Sequence, residues 1–153
     1  MKKSINILVV VMMMVLGTNV SAQNKNANNI DDSKIALQGY SPVSYLDLGI
    51  AQKGLKEHKA THDGLAYYFT SEAQKKSFES NPKKYLPQYG GYCAFGVSVG
   101  AKFRVDPNKF VVKDGKYFLF LYDLEVDAQQ LWITGNHKEL VEKANMNWTK
   151  LSK

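Results

Sequence analysis

Few side chains in this sequence are of a type and spacing that could do chemistry. The single cysteine, Cys93, lies in the run PQYGGYCAFGVSVG over residues 87–100, where nearly every residue is small, apolar or aromatic and none is charged. A thiolate is a nucleophile and a soft metal ligand, but burial among apolar groups raises a thiol's pKa and makes it inert. Cys93 therefore reads either as a shielded packing residue or as the wall of a pocket or a soft ligand. His58 and His62 are four residues apart. On a strand that spacing puts both imidazoles on one face, a geometry open to a metal pair, and two solvated histidines on a surface hairpin is the alternative. Together, Cys93, His58 and His62 are the candidate ligands for a metal ion, copper or zinc. The third histidine, His137, falls at the first position of the last expected helix, where the positive end of the helix dipole opposes protonation. It reads as structural or incidental.

The chain has nine tyrosines. Their rings are core material, and hydroxyls converging on a cavity would make a polar ligand site. Tyr45 and Tyr92, with Cys93, are the candidate residues for such a site. No serine sits on an elbow-type motif. The glycines of GGYCAFG lack the lysine and the strand–loop–helix context of a phosphate loop. No pair of carboxylates stands out by spacing.

These residues need elements to hold them. In the run over residues 57–69 (EHKATHDGLAYYF), Asp63-Gly64 marks a hairpin turn and Tyr67, Tyr68 and Phe69 favour a strand. Residues 110–121 (FVVKDGKYFLFL) form a second hairpin about Asp114-Gly115. Phe103 and Val105 predict a further strand. Pro42 suits the first turn of a short helix with Ser41 as its N-cap. Ser71 and Gln74 make a capping box for a helix over residues 71–80 that buries Ala73 and Phe78, with Tyr85 just beyond, and Pro82 ends it. Helical spacing within residues 92–100 places apolar side chains on all sides, so that segment should be buried all round. Asp127 with Gln130 caps a short helix ending near Gly135. Asn136 with Glu139 opens the last helix, in which Leu140, Ala144, Trp148 and Leu151 share one face. The expected fold is a small α+β domain of two β-hairpins and short helices around an aromatic core.

The chain has 153 residues and a formal charge of +6. Residues 1–22 have the parts of a signal peptide: Lys2 and Lys3, an apolar stretch of about a dozen residues, and Val20-Ser21-Ala22 as the cleavage site. The apolar stretch is shorter than the ~20 residues of a membrane-spanning helix. Cleavage after Ala22 is expected, giving an exported protein, periplasmic or secreted, with no membrane span in the mature chain. Loss of Lys2 and Lys3 leaves +4. The remaining lysines are spread along the chain, which argues against a nucleic-acid partner. Residues 23–33 (QNKNANNIDDS) are polar and read as a flexible leader, and residues 34–153 as one folded domain.

The run GLAYYFTSEAQKKSFESNPKKY resembles the YHS domain, with its Tyr-Tyr-Phe strand, a helix with an inward phenylalanine, and Asn-Pro followed by tyrosine. The upstream GYSPVSY is similar to that family's Asp-Pro-Val-type element, and the tail from QYGGYCAFGVSVG to NWTKL resembles exported bacterial YHS-domain proteins. The resemblance spans residues 34 to 151. It implies a treble-clef-like hairpin-plus-helix unit and, in members with cysteines, binding of heavy metals such as copper. Those cysteines would fall at Ser44, Thr70 and Gln74, and none is cysteine here. The expectation is an exported, non-enzymatic domain that binds a ligand or metal or is accessory to a larger system, with its protein partner unspecified. The alternatives are an extracytoplasmic metal-handling protein using Cys93 with His58 or His62, and a redox or hydrolytic enzyme with an unrecognised site.

Overall fold

The structure is a computed structural model that describes residues 27–121, 123 and 125–153. The signal-peptide reading of residues 1–22 lies outside the described residues.

Among the described residues, two antiparallel hairpins and five α-helices, with short 3-10 and π turns, make up a small α+β domain. The first hairpin pairs β1 (Leu55–His62) with β2 (Leu65–Phe69), and the second pairs β3 (Asp106–Lys113) with β4 (Lys116–Phe120). Asp63-Gly64 and Asp114-Gly115 turn the chain, each with both residues at positive φ, as tight hairpin turns of this sequence require. Each hairpin has a bulge, between Leu55 and Lys59 and between Asp106 and Phe110. Gly54, entering β1, passes so close to β2 that a Cβ there would lie 2.4 Å from the Tyr68 carbonyl carbon. Only glycine permits that approach.

The helices are α1 (Glu72–Ser80), α2 (Pro82–Tyr85), α3 (Ala94–Ser98), α4 (Ala128–Thr134) and α5 (His137–Leu151). Their starts are written in side chains. The Ser71, Asp127 and Asn136 side chains accept from the N–H groups of Gln74, Gln130 and Glu139. Pro42 opens a turn that continues as a π-turn over Ser44–Leu48, with the Ser44 N–H donating to Ser41 Oγ at 3.4 Å. Pro82 does more than end α1, for it stands at the first position of α2.

A lone two-stranded hairpin is marginal in water, so stability must come from what covers it. Two cores do this. The first gathers Leu65, Tyr67 and Phe69 of β2, Phe78 of α1, Tyr85, Tyr45, Tyr117 and Leu119. The second gathers Phe118, Phe120, Cys93, Val97, Trp132 and Ala144, with Leu140, Trp148 and Leu151 packed on it as their spacing in α5 predicts. Strand β4 supplies both, Tyr117 and Leu119 from one face and Phe118 and Phe120 from the other.

Three sequence expectations fail. Phe103 and Val105 form no strand, since β3 begins at Asp106. Phe103 instead lies over Gly96 of α3, where its ring fills the room a side chain would need, and its carbonyl accepts the Cys93 N–H at 3.1 Å. Ala73 is exposed, because the inward position one residue on is taken by Gln74. The segment over residues 92–100 is not buried all round. Val97 is buried on the second core, whereas Val99 is 64% exposed on the opposite side.

Because β4 feeds both cores, truncating either face should threaten the whole domain. Phe118→Ala should cost about 3–5 kcal/mol and Tyr117→Phe, which removes only the hydroxyl bond to the Tyr85 carbonyl, about 1 kcal/mol. Both should unfold in one transition by urea titration followed by fluorescence and circular dichroism. Two separated transitions in either variant would show that the cores are independent.

Candidate functional site

The positions where the resemblance places thiolates do converge in space. Ser44 lies in the π-turn, Thr70 follows β2 and Gln74 lies in the first turn of α1. Gln74 Oε1 accepts from the Ser41 hydroxyl at 2.7 Å and from the Thr70 N–H at 3.2 Å. Gln74 Nε2 donates to Ser44 Oγ at 3.0 Å, and the Ser44 hydroxyl donates onward to Gln52 Oε1 at 2.8 Å. The Ser41 N–H is taken by the Gln52 carbonyl at 2.8 Å. Ser41 and Ser44 are fully buried, so each of these bonds offsets a desolvation cost. The Ser71–Gln74 capping box is thus only half made. Ser71 caps the Gln74 N–H at 3.3 Å, but the glutamine side chain turns inward to the two serines. The donors here are hydroxyl and amide groups, which suit neither copper nor zinc as thiolate or imidazole would.

Cys93 is 1% exposed and sits in the second core. Its sulfur accepts the Gly96 N–H at 3.4 Å, making Cys93 the N-cap of α3, and it bridges to Leu119 of β4. His58 and His62 lie on β1 of the first hairpin. His58 Nδ1 is buried without a hydrogen bond, 3.6 Å from Glu72 Oε2. The His62 ring stands edge-on to Phe78, with its Nε2 3.4 Å from Asp63 Oδ2. The two histidines thus face different carboxylates, and Cys93 belongs to the other half of the domain. Among the described residues no group of three or more His, Cys, Asp or Glu side chains gathers as a metal site.

The tyrosines are separated too. Tyr45 is fully buried in the first core, stacked on Tyr117 at 5.0 Å and donating to the Pro107 carbonyl at 2.7 Å. Burial holds its phenol well above the ordinary range, as it does that of Tyr117, and pushes Tyr67 and Tyr89 up to about 12. Such phenols stay protonated and act as neutral donors. Tyr92 is half-buried against Trp148 and donates to the Asn28 carbonyl at 3.2 Å.

That last bond belongs to a contact the sequence did not suggest. The Asn29 N–H donates to the Gly90 carbonyl at 2.9 Å and its side-chain amide to the Gly91 carbonyl at 2.9 Å. Gly90 is left-handed, and a Cβ there would stand 1.8 Å from the Ala27 carbonyl oxygen. Asn29, Ile30, Asp31 and Ser33 then border a cavity of about 270 Å³ with Ile35, Gln38 and Arg104. The asparagines of residues 23–33 carried no periodicity to mark them. The one available signal was Arg104, the sole arginine among 20 basic residues.

No family model, curated protein or solved structure matches the chain significantly. Among the described residues no helix is long and apolar enough to cross a membrane.

Gln74 and His137 give two measurable expectations. Gln74→Leu should cost about 2–4 kcal/mol, since it leaves the Ser41 hydroxyl and the Thr70 N–H without their acceptor and removes a donor to Ser44 Oγ, and urea denaturation measures it. His137 lies edge-on to Phe118 and Trp132, and burial, then Lys113, lowers its pKa below 6.5 against the opposing pull of Asp114. The unfolded chain therefore takes up the proton first as pH falls. Its stability contribution is complete above pH 6.5 and declines as pH drops below that value toward the lower folded pKa. His137→Gln should flatten that part of a stability–pH curve.

Proposed function

We propose that the chain is an exported, non-enzymatic YHS-type domain that binds a small ligand or serves as an accessory to a larger system. The observation that carries this reading is the hydrogen-bond network of Ser41, Ser44, Gln52, Thr70 and Gln74. It occupies the three positions at which the family resemblance puts metal-binding thiolates, and it satisfies its own polar groups with neutral oxygens and nitrogens. A soft cation entering there would have to displace several hydrogen bonds and would gain poor ligands in exchange. The absence of a strained serine elbow from the sequence, the protonated state of the buried tyrosines and the packing role of Cys93 favour binding over catalysis.

The test is the composition of protein recovered from its native compartment. Elemental analysis should find copper and zinc below stoichiometry. Cys93 should alkylate slowly in the native protein and rapidly in denaturant. A stoichiometric metal that is lost in Cys93→Ser, His58→Ala or His62→Ala would overturn the proposal in favour of metal handling. A fast-reacting native thiol would favour a redox enzyme. The geometry of the network can be checked separately. If residues 44, 70 and 74 occupy the family's ligand positions, the triple variant Ser44→Cys, Thr70→Cys, Gln74→Cys should bind one Cd(II) with thiolate charge-transfer absorbance, and each single Cys variant should not.

A further inference from the structure

The cavity beside Arg104 has charge of both signs. Asp31 is held below the ordinary carboxylate range, first by the hydroxyl and N–H of Ser33 and further by Arg104. Both Ser33 groups bind the same oxygen, Asp31 Oδ1, which leaves Oδ2 open. Arg104 is exposed and reaches Asp31 and Tyr92 only through its field, closing no ion pair with a described residue. Two opposite charges therefore border one cavity without neutralising each other.

The polar wall between them includes two side-chain amides, Asn29 and Gln38. Asn29 donates one amide N–H to the Gly91 carbonyl and Gln38 donates one to the Val105 carbonyl at 2.8 Å. Both residues line the cavity, and each amide carries a carbonyl oxygen able to accept from a ligand. The apolar part of the lining is Ile30 and Ile35. The chain beneath is held in costly backbone states, with Lys34, Leu37 and Gln38 all left-handed at φ 56°, 55° and 53°. Left-handed non-glycine residues are strained and persist where the surroundings over-determine them.

We propose that this cavity is a binding site for a small zwitterion of the α-amino acid class, with the carboxylate on Arg104, the ammonium on Asp31 and the acceptor oxygens of Asn29 and Gln38, and an aliphatic side chain against Ile30 and Ile35. A guanidinium takes a carboxylate through two parallel hydrogen bonds, whereas an ammonium carries donors only and needs acceptors around it. The cavity of about 270 Å³ lies just below the ~300 Å³ at which ligand pockets usually begin. That suits a ligand of amino-acid size rather than a cofactor. Both charges face solvent, so screening keeps the affinity in the millimolar range. The inference rests on the binding-module reading above and gives it a ligand class.

The experiment titrates purified residues 23–153 with L-leucine, leucinamide and 4-methylpentanoate, following backbone amide shifts by NMR. Leucine should saturate and move the amides of Ile30, Ile35 and Arg104. Each analogue lacks one charge and should bind at least about tenfold more weakly. Arg104→Gln should reduce leucine affinity to that of leucinamide for the unmodified protein, and Asp31→Asn to that of 4-methylpentanoate. Both variants alter exposed side chains and should keep the melting temperature. Failure of leucine to saturate, equal affinity for all three probes, or indifference to both substitutions would overturn the proposal. Neither result depends on metal content or thiol reactivity, so this inference can fail while the broader reading stands.

Discussion

Every other feature of the domain depends on β4 being buried on both faces. Tyr117, Phe118, Leu119 and Phe120 are each no more than 2% exposed, and successive residues serve different cores. A strand in a two-stranded hairpin normally keeps one face for water. Here the first hairpin with α1 covers one face, and α3, α4 and α5 cover the other. The site residues inherit this division. The Ser–Gln network and the histidines attach to the first core, and Cys93 and His137 to the second.

The network around Gln74 is a second, smaller constraint. It joins the π-turn, the end of β2 and the start of α1 through side-chain hydrogen bonds that cross between elements. Thiolates at these positions would need a cation to hold them together against mutual repulsion. Hydroxyl and amide groups hold the same junction unaided.

Much of the architecture was legible in the sequence because local signals agreed with the tertiary result. Asp63-Gly64 and Asp114-Gly115 placed both hairpins, and Asp127, Asn136 and Ser71 placed three helix starts. The misreadings share a cause. Phe103 and Val105 look like strand residues, but Gly96 offers a bare surface that Phe103 covers, a contact no local pattern records. Gln74 was read as half of a capping box, since the buried serines that claim its side chain lie 33 and 30 residues away. The cavity was illegible for the same reason. It is made where Asn29, Asp31 and Ser33 meet Arg104, more than 70 positions later in the chain, and their docking depends on the room left by Gly90.

Double burial also removes a safeguard that ordinary strands possess. In a half-exposed strand, a slip of one residue drives polar groups inward and is rejected on that ground. In β4 a slip would exchange Tyr117 and Leu119 for Phe118 and Phe120, apolar for apolar, and hydrophobicity would barely discriminate. Discrimination falls to shape and to a single hydroxyl. Tyr117 donates to the Tyr85 carbonyl at 2.9 Å, and the same residue turned to the second core would leave that carbonyl behind. One phenolic oxygen thus acts as the index mark by which the strand tells its two interiors apart.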